Sequence, residues 1–269
     1  MSRSGPDMKY ALVNGQRHEA QSGLSGTCPT CDRPVVAKCG EVRIWHWAHL
    51  GRRCDDHWQE PETEWHRAWK GHFPVPCQEV VLRAATGEKH RADVKTDRGW
   101  VIEFQYSFLK PEERRSRDAF YPKLIWVVNG TRRKRDRAQL LNAWNHGGRV
   151  AVNSPVRKVF SFDCALLKEW AGSHAPVFFD LGEPDVLWWL IKSTDGSAYV
   201  HRFSRAEFIG WHLSRAAHPL DEFVSVTLPR LIADYEADIR AQALQPASPQ
   251  TLERLRQHFA RRGRHRGRF

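Results

Sequence analysis

Two neighbouring segments of the chain carry side chains of the types that hold a hard metal ion. Asp93 falls on one predicted strand, and Glu103 and Gln105 fall on the next. Because side chains alternate along a strand, Glu103 and Gln105 share one face, while Ile102 and Phe104 share the other. We expect the apolar face to enter a core and the polar face to open to solvent where the two strands meet. Such oxygen ligands suit Mg²⁺ (or Mn²⁺), which can activate water and stabilise charge on a phosphate.

The elements that must position these side chains follow from apolar periodicity and turn residues. The pattern predicts helix, three strands, helix and strand, at residues 62–72, 77–85, 89–96, 100–105, 111–121 and 123–128. Thr63 is a candidate cap of the first helix, and Pro74 is a stop signal. Further along, the pattern predicts strands at 158–165 and 177–181, a hairpin at 185–203, and helices at 205–217 and 228–244.

This order of elements, with aspartate on the second strand and Glu-x-Gln on the third, resembles the core of the PD-(D/E)xK nucleases. A narrower pattern is similar to the competence protein CoiA family, both to its nuclease-like domain and to the zinc-finger-like region before it. The matching residues are Cys28, Cys31, His46, His49, Cys54, Glu62, His66, Lys70, Arg91, Asp93, Glu103, Gln105, Ser107, Arg114, Arg117, Tyr121 and Trp126. The resemblance implies an α/β fold, with a PD-(D/E)xK-like mixed sheet flanked by helices. Gln105 stands where the wider superfamily usually has lysine.

The resemblance also implies roles for the candidate residues. Asp93 and Glu103 would hold the catalytic metal ion, and Gln105 would orient the attacking water. Glu62 and His66 would help from the first helix, because together with Lys70 they form a stripe at i, i+4 and i+8. The same spacing is also typical of a solvated helix face.

Basic side chains near this core are candidates for contact with a nucleic acid. Arg114, Arg117 and Tyr121 recur at helical spacing, so they can grip a phosphate or belong to an ordinary basic exterior. Arg132 and Arg133 open a basic run that suits contacts with a phosphate backbone, although such runs are usually solvated loops.

A cluster of cysteines and histidines predicts a second metal site, of structural Zn²⁺. Cys28 and Cys31 form a Cys-x-x-Cys knuckle, and histidines and a further cysteine follow at workable spacing. The family pattern favours Cys28, Cys31, His49 and Cys54. The rival set is Cys28, Cys31, His46 and His49, with Cys39 and His57 as spares, and the alternative without metal is a pair of reduced cysteines beside surface histidines.

Composition favours a polyanionic partner. The 269-residue chain has a formal net charge of +11 and a pI of about 9.7, so we expect DNA to bind it. Twelve tryptophans can stack on bases, but we expect Trp126, Trp188 and Trp189 to lie in the core. The longest apolar run, 186–191, is too short for a bilayer, and no signal pattern opens the chain, so the expectation is a cytoplasmic protein without membrane contact.

The predicted organisation has four parts. Residues 1–60 form the zinc module, 61–150 the nuclease-like core, 151–210 a strand-rich extension, and 211–269 a helical or disordered carboxy-terminal extension. The segment 252–269 holds seven arginines against one glutamate, which predicts a nucleic-acid-binding or solubilising tail.

These observations together predict a metal-dependent deoxyribonuclease that acts in DNA processing, competence or recombination, with recombination proteins as candidate partners. Two other classes of protein fit the same sequence. One is a catalytically degenerate nuclease fold that serves as a DNA-binding adaptor, and the other is a zinc-stabilised scaffold that binds a protein partner. The oligomeric state does not follow from the sequence.

Overall fold

A computed structural model describes residues 8–51, 54, 56, 58, 60–194 and 196–244, with the side chain of residue 194 left out. The chain divides into a first unit that ends at His218 and a second that begins at Pro219. The finer boundaries near residues 60, 150 and 210 stay predictions, and the arginine-rich segment 252–269 lies outside the described residues. None of the helices in the described part combines the length and the apolar character that crossing a bilayer requires.

The amino-terminal part of the first unit is a five-stranded antiparallel sheet. Its strands are β1 (Tyr10–Val13), β2 (Gln16–Glu19), β3 (Ser25–Thr27), β4 (Pro34–Lys38) and β5 (His46–His49), in the spatial order β2-β1-β3-β4-β5. Its small core contains Met8, Ala11, Cys28, Val35 and Trp47. The sequence did not predict these strands, because each has only three to five residues and little apolar alternation.

The rest of the first unit is built on a nine-stranded mixed sheet. Its strands are β6 (Gln78–Arg83), β7 (Lys89–Lys95), β8 (Val101–Gln105), β9 (Leu124–Asn129), β10 (Gly148–Arg149), β11 (Val156–Phe160), β12 (Val177–Asp180), β13 (Leu187–Thr194) and β14 (Ser197–Phe203). The spatial order is β10-β11-β14-β13-β12-β9-β8-β7-β6, with β9 parallel to both β8 and β12. The predicted hairpin is confirmed as β13 and β14. The predicted α/β class, with a large mixed sheet flanked by helices, is thereby confirmed.

Five helices accompany this sheet. They are α1 (Glu64–Gly71), α2 (Pro111–Phe120), α3 (Asp136–His146), α4 (Ala165–Trp170) and α5 (Arg205–Leu213), and a 3₁₀ turn spans Val75–Cys77. Thr63 caps α1 as predicted, because its side chain accepts the His66 N–H at 3.3 Å. α3 and α4 were not predicted, and the strand expected at 158–165 ends at Phe160. The second unit contains α6 (Pro219–Glu222), a π-helical turn (Phe223–Thr227) and α7 (Leu228–Leu244).

The prediction that one face of β8 opens to solvent is wrong. All five residues of β8 are buried, including Glu103 and Gln105, because β8 lies inside the sheet with a helix on each side. The Trp69 ring of α1 stacks on Phe104, with centroids 5.6 Å apart, while Arg117 of α2 reaches Glu103. The prediction of a core location for Trp126, Trp188 and Trp189 is confirmed.

Asp180, at the end of β12, joins α1 and α5 to the sheet. Its Oδ2 accepts the indole N–H groups of Trp65 and Trp69, both at 2.9 Å. Its Oδ1 accepts from Arg205 of α5 at 2.8 Å and from the Gly182 N–H at 2.9 Å. One buried carboxylate therefore ties both α1 and α5 to the end of β12 and holds two tryptophans of α1 in place.

Asp180→Ala should destabilise the protein by about 3–5 kcal/mol, because two buried indole donors and a guanidinium lose their shared acceptor. Chemical denaturation measures this change, and exposed Asp163→Ala is the control, expected within about 0.5 kcal/mol of the wild type. Equal stability of the two variants would contradict the role of Asp180.

Candidate metal centre and carboxylate cleft

The ladder between β7 and β8 opens where the two predicted metal ligands lie. The paired residues are Lys95 with Val101 and Val94 with Ile102, and the pairing ends there. One residue further on, the Asp93 carboxylate accepts the Phe104 N–H at 2.9 Å. Asp93 and Glu103 therefore face the mouth of the opening between two diverging strands.

A small cavity of about 20 Å³ lies at this opening, with room for one water molecule or one ion. Carboxylates dominate its walls, with Trp58, His66, Phe104 and two guanidinium groups between them. The charged lining residues are Glu60, Glu62, Arg91, Asp93, Glu103 and Arg117. Four carboxylates against two guanidinium groups leave a site that favours a cation.

Glu103 is the most confined of these carboxylates, with 5% of its surface exposed. Its Oε2 lies 3.4 Å from Arg117, whereas its Oε1 has no hydrogen-bond donor among the described residues. Burial raises the pKa of Glu103 well above its ordinary value, the charge of Asp93 raises it further, and Arg117 opposes this shift. A bound cation would supply the missing partner of the Oε1 atom.

The predicted helical stripe is correct only for His66 and Lys70, which lie on the buried side of α1, because the helix begins at Glu64 and Glu62 precedes its cap. The Glu62 side chain is nevertheless buried, so none of the three belongs to a solvated face. Lys70 is fully buried, and its Nζ lies 2.6 Å from Glu62 and 2.7 Å from Glu79. Burial alone would lower the pKa of Lys70, but the surrounding carboxylates raise it, so its ammonium stays charged. Burial alone would raise the pKa of Glu79, but the charges of Lys70 and Arg91 lower this pKa to about 2.

His66 and Gln105 both contact Glu60, which lines the cavity. The His66 Nε2 atom is 3.0 Å from the Phe104 carbonyl oxygen and 3.4 Å from Glu60 Oε2. Burial alone would lower the pKa of His66, but the Glu60 hydrogen bond and the Asp93 charge raise it. The Gln105 amide does not line the cavity; it donates to Glu60 and, at 3.2 Å, to the Ser107 carbonyl.

Glu60 was missed by the sequence reasoning, although it belongs to the cleft. The signal that could have found it is the acidic composition of the segment 55–62, in which four of the eight residues are aspartate or glutamate. Asp56, Trp58 and Glu60, taken together, lead from the last cysteine of the amino-terminal module toward α1. Trp58 and Glu60 both line the cavity, and Glu62 follows them.

Asp56 and Trp58 anchor this segment to β7. The Asp56 carboxylate accepts from His90 Nδ1 and from the Arg91 N–H, both at 2.9 Å. The Trp58 ring stacks on the His90 ring, with centroids 3.3 Å apart. Because Cys54 begins the same segment, the amino-terminal module and the cleft share one stretch of chain.

Nucleic-acid contact by Arg114, Arg117, Tyr121, Arg132 and Arg133 stays a prediction. The first three are buried, and the Arg117 guanidinium binds Glu103, Glu113 and the Trp58 carbonyl. Arg114 donates to the carbonyls of residues 169 and 171, and Arg132 and Arg133 both pair with Glu169. These groups are engaged within the chain.

The predicted zinc ligands come together in the amino-terminal module. The ligand atoms of Cys28, Cys31, His49 and Cys54 all lie within 4.8 Å of one another. Cys28 and Cys31 occupy a tight turn after β3, in which the Asp32 N–H donates to the Cys28 carbonyl at 2.9 Å. Three sulfur donors and one imidazole nitrogen are the donor set of a closed structural Zn²⁺ site.

Of the three thiols, that of Cys28 favours the thiolate form. The hydrogen bond from Cys54 lowers the pKa of Cys28 to about 3, although burial alone would raise this pKa. Burial raises the pKa of Cys31, and the hydrogen bond with Cys28 together with burial raises the pKa of Cys54. The rival ligand His46 is engaged elsewhere, because its Nδ1 lies 2.8 Å from the Ile44 carbonyl oxygen. Cys39 is outside the cluster, and His57 lies outside the described residues. Of the described residues, no other group of potential ligands is as closely spaced, so the cleft carboxylates are further apart than the zinc ligands.

We expect about one zinc per chain in protein purified from metal-free buffer, measured by elemental analysis. Cys28→Ser and His49→Gln should each lower the zinc content and destabilise the amino-terminal sheet, because ligation and folding are coupled. Cys39→Ser and His46→Gln are the matched controls and should keep the metal. Loss of zinc in His46→Gln but not in His49→Gln would restore the rival ligand set.

The comparisons with known proteins place the amino-terminal module in a family. No curated protein and no solved structure matches the chain. Residues 16–56 match the family model described as competence protein CoiA, N-terminal domain. The matched range contains all four residues of the cysteine and histidine cluster. Residues 16–56 are therefore similar to the N-terminal domain of the CoiA family, as the resemblance predicts, and this similarity links the segment to competence.

Proposed function

We propose that the chain is a metal-dependent nuclease of the PD-(D/E)xK type that hydrolyses phosphodiester bonds of DNA in competence or recombination. The observation that carries this proposal is the buried Glu103 Oε1 atom. It has no hydrogen-bond donor among the described residues and belongs to a cavity lined by three further carboxylates. A buried carboxylate oxygen without a donor is costly, and a cation at that point would offset the cost.

The residues of the cleft fit Mg²⁺ or Mn²⁺. All the anionic donors are carboxylate oxygens, and the cavity of about 20 Å³ holds one ion or water. Asp93 and Glu103 would hold the ion through their carboxylate oxygens, the ligands that Mg²⁺ and Mn²⁺ prefer. When bound, the ion would supply charge neutralisation at the phosphate and an acidified water.

The remaining residues of the cleft prepare the site. Lys70 holds Glu62 in place at 2.6 Å and stays behind the cavity. His66 lines the cavity, and its ring is held by the Thr63 hydroxyl at 2.7 Å and by Glu60 at 3.4 Å, so it adds a fixed positive charge to the wall when protonated. Arg91 and Arg117 line the cavity and would neutralise part of the phosphate charge. Gln105 acts through Glu60, since its amide is bonded to that carboxylate.

One observation favours the second candidate function, a DNA-binding adaptor without catalytic activity. Gln105 occupies the position of the superfamily lysine, yet it is not a lining residue of the cavity. A lysine at 105 would instead bring an ammonium group to Glu60. The two functions differ in whether the wild type cleaves any nucleic acid.

Mn²⁺ should raise the melting temperature of the wild type, because an ion that binds only the folded state stabilises it. Asp93→Asn and Glu103→Gln should lose most of this rise, whereas exposed Glu112→Gln should keep it. Differential scanning fluorimetry across a Mn²⁺ titration measures the effect. An identical rise in all four proteins would place the ion outside the cleft.

Asp93→Ala should abolish Mg²⁺- or Mn²⁺-dependent cleavage of DNA and leave DNA binding in place, because the +11 net charge supplies binding. Glu103→Ala should behave alike, Gln105→Ala should be milder, and Gln105→Lys should retain or raise activity. Gel assays on single-stranded and duplex DNA and RNA measure this. A folded wild type that cleaves none of these substrates would leave the adaptor as the function.

A further inference from the structure

The segment that follows β8 presents two aromatic rings to solvent beside the cleft. Tyr106 is 39% exposed and Phe108 is 62% exposed, while Gln105 before them and Leu109 after them are buried. Three consecutive residues, 106–108, are therefore exposed between two buried ones, and both rings are accessible to solvent.

The position of Tyr106 is fixed by the wall of the cavity. Its N–H donates to Glu60 Oε2 at 3.0 Å, and the Ser107 N–H donates to Glu60 Oε1 at 3.1 Å. The amide of Gln105 donates to the Ser107 carbonyl at 3.2 Å and closes the turn. Since Glu60 itself lines the cavity, Tyr106 is held at its edge.

A further aromatic side chain extends this surface. The ring of Trp65, on α1, has its centroid 6.1 Å from that of Tyr106, and the ring of His66 is equally close. Trp65 is half-buried, and its indole N–H is fixed on Asp180 at 2.9 Å. Tyr106 therefore stands on a rigid support, so little side-chain entropy is lost when a ligand stacks on it.

A positively charged side chain lies close to the two rings. Lys110 is exposed two residues after Phe108, at the start of α2. The chain as a whole carries a net charge of +11. Exposed aromatic rings next to positive charge are the two elements by which proteins bind single-stranded nucleic acids, through base stacking and phosphate contact.

We propose that Tyr106, supported by Trp65 and extended by Phe108, stacks on unpaired nucleobases of a single-stranded polynucleotide at the mouth of the carboxylate cleft. The proposal deepens the proposed function, on which it rests for the phosphate that enters the cleft. In a duplex the base faces are covered by neighbouring bases, so an aromatic ring reaches them only in a single strand or at an unpaired end.

The test compares binding of single-stranded and duplex DNA by the full chain, by fluorescence anisotropy in buffer without added divalent ion. The probes are a labelled oligothymidylate and a duplex of the same length. Tyr106→Ala should weaken binding of the single strand about 10-fold and leave duplex binding unchanged. Tyr106→Phe should bind like the wild type, and Phe108→Ala should show a smaller loss in the same direction.

Phe160→Ala is the matched control. Phe160 is 67% exposed and lies on β11, five places from β8 in the sheet order. Its removal should leave both affinities unchanged. Melting temperatures of all variants equal to the wild type would confirm that the folds are intact.

Three outcomes would overturn the proposal. The first is unchanged binding by Tyr106→Ala, and the second is an equal loss of affinity for single strand and duplex. The third is failure of the wild type to bind the single strand, which would indicate that the exposed rings contact a protein partner instead. Because no divalent ion is added, the result does not depend on cleavage. Selective single-strand binding by a protein that cleaves nothing would refute the nuclease and keep the base-stacking surface.

Discussion

The ammonium group of Lys70 is the charge on which the architecture around the cleft depends. It is fully buried between Glu62 and Glu79, at 2.6 and 2.7 Å. Glu79 in turn accepts the backbone N–H groups of Lys9 and Tyr10, next to and within β1. Desolvated charges are tolerated only when each is paired and hydrogen-bonded, so this network admits one arrangement of α1, β6 and β1. The amino-terminal sheet and the cleft are therefore parts of one electrostatic unit.

Local signals explain which elements could be predicted from the sequence. The cap Thr63, the proline that opens α2 and the turn between β13 and β14 act over a few residues, and all three lie where expected. The strands β1 to β5 escaped prediction because tertiary packing around Cys28 and Trp47 stabilises them, more than any alternation of polarity. The burial of Glu103 was missed for a related reason. Alternation along β8 shows which side chains share a face, but it does not reveal that a helix covers that face.

The two candidate sites also differ in how far local sequence signals predict them. The knuckle and the short spacings indicate a zinc site, the family pattern selects His49 and Cys54 among the candidates, and the cluster that forms has the predicted membership. The cleft depends on residues that are distant along the chain and carry no motif, such as Asp56, Glu60 and Glu79. Their roles emerge only from tertiary pairing with His90, Ser107 and Lys70. The segment from Cys54 to Glu62 connects both sites, so the metal-binding module also sets the walls of the cleft.

Contacts between residues that are far apart in the sequence affect how the protein folds during synthesis. Lys9 and Glu79 are separated by 70 residues, and Trp69 and Asp180 by 111. Closing such loops costs chain entropy before any contact compensates for it, so folding of this topology is slow compared with that of a helical bundle. During synthesis, the amino-terminal sheet leaves the ribosome before the strand that anchors it, and α1 leaves well before β12. The carboxylates of the cleft are therefore assembled late, so an incomplete nascent chain carries no finished site.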